Sequence, residues 1–91
     1  MNVMLEVIGV EPPCKRCAMA HKNAEQAASR LSQEGVQVTV KKLDIASEDV
    51  ISRYGVFLSP ALAIGGSIRV AGRIPSPEEI IRIVKATLHQ S

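Results

Sequence analysis

Val3-Met4-Leu5-Glu6-Val7-Ile8-Gly9, then Val10-Glu11-Pro12-Pro13, then Cys14-Lys15-Arg16-Cys17 is the stretch on which the fold turns. The first seven residues carry one charge and read as a strand covered on both faces. Glu6, the exception, is expected at the rim. At roughly 3.3 Å per residue it stands too far back along the strand to meet sulfurs at its far end. The two cysteines, the only two in the chain, open a helical pattern. A thiol in the first turn of a helix faces unpaired N–H groups and the positive end of the macrodipole, and Lys15 and Arg16 add positive charge beside it. Cys14 is therefore the expected nucleophile. Cys17, one turn on along the same face, is the expected resolving thiol.

Other uses of the pair are weaker. In the chain-entropy model a disulfide closing a loop of about 15 residues is worth about 3 kcal/mol. The Cys14–Cys17 loop is far shorter, so a purely structural bond would add little. A tetrahedral zinc site would need two further ligands. The histidines are His21 and His89. His21 follows Cys17 by four residues, which makes Cys14, Cys17 and His21 the alternative set for zinc, copper or arsenite. A redox sensor that switches without turnover would use the same dithiol. The primary expectation is no metal and no cofactor beyond a redox-active Cys14–Cys17 disulfide.

Outward from the dithiol, Cys17, Ala20, Ala24, Ala27, Ala28 and Leu31 recur with a helix period, and Gly35 is a stop signal. Val36, Val38 and Val40 alternate with Gln37, Thr39 and Lys41 as in a half-buried strand. Ser47 can cap a short helix that carries Glu48 and Asp49 in its first turn and ends before Gly55. Ala61 to Ile64, a Gly65-Gly66 turn and Ser67 to Ala71 form a hairpin with Ile68 and Val70 facing inward. Ser76-Pro77-Glu78-Glu79 opens the last helix with an N-cap, a proline at the first helical position and a capping-box glutamate. Ile80, Ile81, Val84 and Leu88 give that helix a buried face.

At 91 residues the chain is expected to be one domain, residues 1–91. Hydrophobic residues make up 46%, yet they include one Tyr, one Phe and no Trp, so the core is aliphatic and base stacking on nucleic acid has no platform. The net charge of +2 comes from interspersed acids and bases, which leaves no basic stripe for nucleic acid or an anionic membrane. The apolar first ten residues lack a basic leader and a cleavage site and are too short to span a bilayer. A cytoplasmic monomer without membrane or nucleic-acid partners is expected. In that compartment a cysteine pair is usually catalytic or redox-sensing.

The order β-α-β-α-β-β-α, with C-x-x-C heading the first helix and Pro60 opening the third strand, resembles the thioredoxin fold in its minimal, glutaredoxin-sized form across nearly the whole chain. More narrowly, Pro60-Ala61-Leu62-Ala63-Ile64-Gly65-Gly66 and Val70-Ala71-Gly72-Arg73-Ile74-Pro75-Ser76 resemble the small thioredoxin-like redox-active disulfide proteins of archaea and bacteria. The resemblance implies an α/β fold with a four-stranded mixed sheet in order 4-3-1-2 flanked by three helices. Its first two strands are parallel and its hairpin antiparallel. It also implies a cis Ser59-Pro60 bond, an isomer that only about 5–6% of X-Pro bonds adopt. Beside that bond the backbone of Ser59 would pair with an extended client peptide, and Gly72, unless it simply ends a strand, would let a loop approach the same groove. The implied activity is thiol–disulfide exchange with client proteins that carry disulfides.

The chain departs from its relatives at three points. Where thioredoxins have an aromatic residue just before the first cysteine and a carboxylate six residues before it, this sequence has Pro13 and Ile8. Solvent or Glu11 would then take the proton of Cys17. Gly72-Arg73-Ile74-Pro75-Ser76 does not reproduce the glutathione-binding pattern of glutaredoxins. The expected electron donor is therefore a thioredoxin-reductase-like protein.

Overall fold

A computed structural model describes residues 2–10 and 14–88. Glu11, Pro13 and His89, which entered the reading above, lie outside them. Strand β1 (Asn2–Gly9) leads to helix α1 (Lys15–Gln33), strand β2 (Gln37–Asp44), helix α2 (Glu48–Tyr54), the hairpin β3 (Ala61–Ile64) and β4 (Ser67–Ala71), and helix α3 (Pro77–Leu88). The sheet order is β2-β1-β3-β4, the expected 4-3-1-2 read from the opposite edge. β1 runs parallel to β2 from Asn2↔Gln37 to Gly9↔Asp44, and antiparallel to β3 from Leu5↔Ile64 to Ile8↔Ala61. β3 and β4 pair antiparallel, with a register shift at Leu62/Ala63.

Alternation along β1 assigns its side chains to two layers. Val3, Leu5 and Val7 join Ala20, Ala24, Ala27 and Leu31 of α1, Leu62, Ile64 and Val70 of the hairpin, and Ile80 and Val84 of α3 in the larger core. The alanines let α1 lie close on the sheet. On the opposite face Ile8, Ala61 and Ala63 pack under Val50 of α2, with Tyr54 and Phe57 at the margin in an edge-to-face pair whose centroids are 6.4 Å apart. The chain's two aromatic residues thus both serve the smaller core.

Two positions of β1 depart from the sequence reading. Met4 is 43% exposed, whereas Glu6 is buried at 6%. The reason is the length of α2: its seven residues cover only part of that sheet face. Glu6 lies beneath it and accepts hydrogen bonds from Arg53 and the Tyr54 hydroxyl, so it is a tie point between helix and sheet rather than a rim residue.

The helix starts follow their caps. Ser47 Oγ accepts from the Val50 N–H at 3.3 Å, and Ser76 Oγ from the Glu79 N–H at 3.1 Å. The second half of the expected capping box is not made. Glu79 turns its carboxylate to Arg73 at 2.7 Å, because a guanidinium fork matches a carboxylate better than a single N–H does.

Candidate active site

Cys14 is the N-cap of α1, in extended conformation (φ −78°, ψ 174°) and with no side-chain capping bond. Its carbonyl accepts from the Ala18 N–H at 2.9 Å. The extended cap projects Cys14 into solvent, while Cys17, one turn further on, is 4% exposed. The two sulfurs stand 3.5 Å apart, within hydrogen-bond reach. The Cys14 thiol is held below its ordinary pKa first by the backbone N–H of Cys17, then by the Cys17 side chain, and to a smaller degree by the N–H groups of Arg16 and of Cys14 itself. The backbone donors among these are the open amides of a helix start.

Gly9, which sequence reasoning passed over, explains how Cys17 is seated. A Cβ on Gly9 would lie 2.8 Å from Cys17 Sγ and 3.0 Å from Cys17 Cβ. Such a contact would force the Cys17 side chain to shift, so glycine at the end of β1 leaves Cys17 Sγ its place. The signal in the sequence was a lone glycine interrupting an apolar strand.

The same end of the sheet receives the Ser59-Pro60 segment. Ile8 pairs with Ala61, so Pro60 continues β3 beside Gly9, with neighbouring strands about 4.8 Å apart. Pro60 is buried, Ser59 half-buried, and the bond between them is cis. The Gly72 N–H donates to Pro60 O at 3.0 Å. Gly72 sits at φ +80°, in the left-handed region, and a Cβ there would approach Leu58 Cβ to 3.1 Å. Arg16 reaches across from α1 and donates to Gly72 O at 3.1 Å. Cys14, Cys17, Pro60 and Gly72 therefore gather around one end of β1 and β3. Val56 and Leu58, just before Ser59, are 92% and 74% exposed.

The alternative metal ligands do not converge. His21 pairs with Glu25 at 3.4 Å, and among the described residues no three His, Cys, Asp or Glu side chains form a group that could hold a metal ion. No helix among the described residues is long and apolar enough to cross a membrane.

Comparison with known proteins agrees with this geometry. Residues 3–85 match the family model of the thioredoxin domain. A thioredoxin of Methanothermobacter thermautotrophicus is 35% identical over 71 residues, which cover 78% of this chain and 86% of that protein. A probable thioredoxin of the same organism is 33% identical over 85 residues, covering 92% and 94% respectively. A crystal structure of a protein of unknown function from Staphylococcus aureus superposes with a TM-score of 0.69 over all of this chain and 95% of that one. At 11% identity that likeness concerns the fold alone.

Proposed function

The chain belongs to the thioredoxin domain family of thiol–disulfide oxidoreductases, and from that premise we propose that its Cys14/Cys17 dithiol reduces disulfides of client proteins and is itself re-reduced by a protein reductase. The observation that carries this reading is the pairing of an exposed, acidified Cys14 with a shielded Cys17 3.5 Å away. Cys14 thiolate attacks one sulfur of the client disulfide; a Cys14–client disulfide forms and the other client sulfur leaves as thiolate. Cys17, losing its proton to solvent, then attacks Cys14 Sγ. The second client sulfur leaves, and the Cys14–Cys17 disulfide remains. The client gains two electrons and takes up two protons, and an external dithiol returns the pair to its reduced form.

Ser59, Pro60 and Gly72 are proposed to shape the client groove, with the Ser59 backbone pairing with an extended segment. Support for this comes from the bond between Gly72 and Pro60 and from the apolar exposure of Val56 and Leu58 beside them. A redox titration of the couple with and without zinc tests the reading. The expected potential is about −200 to −270 mV and insensitive to metal. Failure to form the internal disulfide under mild oxidant, or failure of wild-type protein with dithiothreitol to reduce insulin, would remove it.

A further inference from the structure

Arg16, Asn23 and Arg30 recur at intervals of seven along α1. Two helical turns return to nearly the same direction, drifting by only about 20°, so the three form one stripe. It runs one residue before the buried positions Cys17, Ala24 and Leu31, at the margin of the packed face. The first two members meet the segment that leads from β4 into α3 and the third meets the first turn of α3, at positions three apart: Arg16 donates to Gly72 O at 3.1 Å, Asn23 Nδ2 to Pro75 O at 2.9 Å, and Arg30 to Glu78 at 2.6 Å. Residues 72–76 belong to neither β4 nor α3; Gly72 N–H still reaches Pro60 O, Arg73 pairs with Glu79 and Ser76 caps α3, while the carbonyls of Gly72 and Pro75 are held from α1.

We propose that this polar stripe is a positioning device: α1, the helix that carries the dithiol, fixes through Arg16 and Asn23 the Gly72–Pro75 wall of the client groove. The proposal rests on the groove described above. Arg16 is on this account a positioning residue and not a tuner of the thiolate. Its guanidinium is turned to Gly72 O, and the Arg16 group that bonds Cys14 is its backbone N–H, which any side chain would retain. Gly72 has both main-chain groups engaged internally, the N–H by Pro60 and the carbonyl by Arg16, so the wall is set before a client arrives.

The test compares wild type with Arg16→Ala, Asn23→Ala and Asn23→Asp. The last is nearly isosteric and replaces a donor to Pro75 O with an acceptor. Amide exchange at Gly72 should quicken roughly ten-fold or more in the variants while the amides of Leu5 and Val7 keep their protection, since a local tie opens without global unfolding. In insulin reduction driven by dithiothreitol, KM should rise about three- to ten-fold in Arg16→Ala, the range that one hydrogen bond carries, with kcat much less affected. The titration midpoint of Cys14 should stay where it is in wild type. Unchanged Gly72 exchange overturns the proposal whatever the activity. So does an unchanged KM with Gly72 loosened, or a Cys14 midpoint that moves toward the free-thiol value. If wild type itself fails on insulin, the proposed function falls, and the exchange measurement still decides whether the stripe holds the wall.

Discussion

Replacing Glu6 separates the two ways in which α2 is fastened to the sheet. The Glu6 side chain is 8% exposed and accepts from Arg53 at 3.0 Å and from the Tyr54 hydroxyl. Arg53 is 42% exposed and has Asp49 as a second partner at 3.3 Å, so its share is the small one of a solvent-screened pair. The Tyr54 bond goes to a buried charged acceptor and is worth about 1.5–3 kcal/mol. Glu6→Ala is therefore expected to lower the unfolding free energy by about 2–4 kcal/mol, and Glu6→Gln, which keeps an acceptor, by about 1 kcal/mol. Each kcal/mol moves Tm by roughly 4–8 °C in a domain of this size. The assay is urea unfolding of the reduced protein followed by far-UV circular dichroism, with Tyr54→Phe and the double variant completing a cycle. A cost for Glu6→Ala below about 0.5 kcal/mol, or strict additivity with Tyr54→Phe, would refute the assignment of Glu6 as the tie. Glu6 precedes Gly9 by three residues, roughly 10 Å along the strand, so alkylation of Cys14 should not change.

Iodoacetamide should label Cys14 first, with a midpoint below the free-thiol value near 8.5, and faster labelling of Cys17 would reverse the two roles. Cys17→Ser should accumulate mixed disulfides with clients, whereas Cys14→Ser should not. Because Cys14 is more acidic folded than unfolded, its contribution to the stability of the reduced protein is complete above about pH 8.5 and is lost as pH falls through its folded value. Thermal melts of Cys14→Ser should lack that rise. Tyr54 behaves in the opposite sense. Burial, then its bond to Glu6, raises its pKa, so its contribution holds below about pH 10 and fades as pH climbs through the folded value, a loss that Tyr54→Phe should remove. Gly9→Ala should cost about 1–3 kcal/mol by overpacking and should slow resolution of the Cys14 mixed disulfide by displacing Cys17 Sγ. An unchanged resolution rate would show that the sulfur has room to move.

Local rules account for how much of the fold was legible. The caps at Ser47 and Ser76, the Gly65-Gly66 turn and the apolar periods of α1 and α3 are decided by residues within a few positions of one another, and each forms where its sequence indicates. Glu6 and Met4 failed because burial on β1 depends on how far a helix some fifty residues away extends over the sheet. No pattern within the strand carries that length.

The sequence by itself determined the element order, the aliphatic core and the placement of two cysteines at a helix start, all of which follow from short-range chemistry. Tertiary structure alone decided what surrounds the sulfurs. It set Gly9 behind Cys17, brought Gly72 to Pro60 and carried the Arg16 guanidinium across to Gly72 O. The physical reason is separation along the chain: Arg16 and Gly72 are 56 residues apart, and a hydrogen bond over that span exists only once both cores have closed.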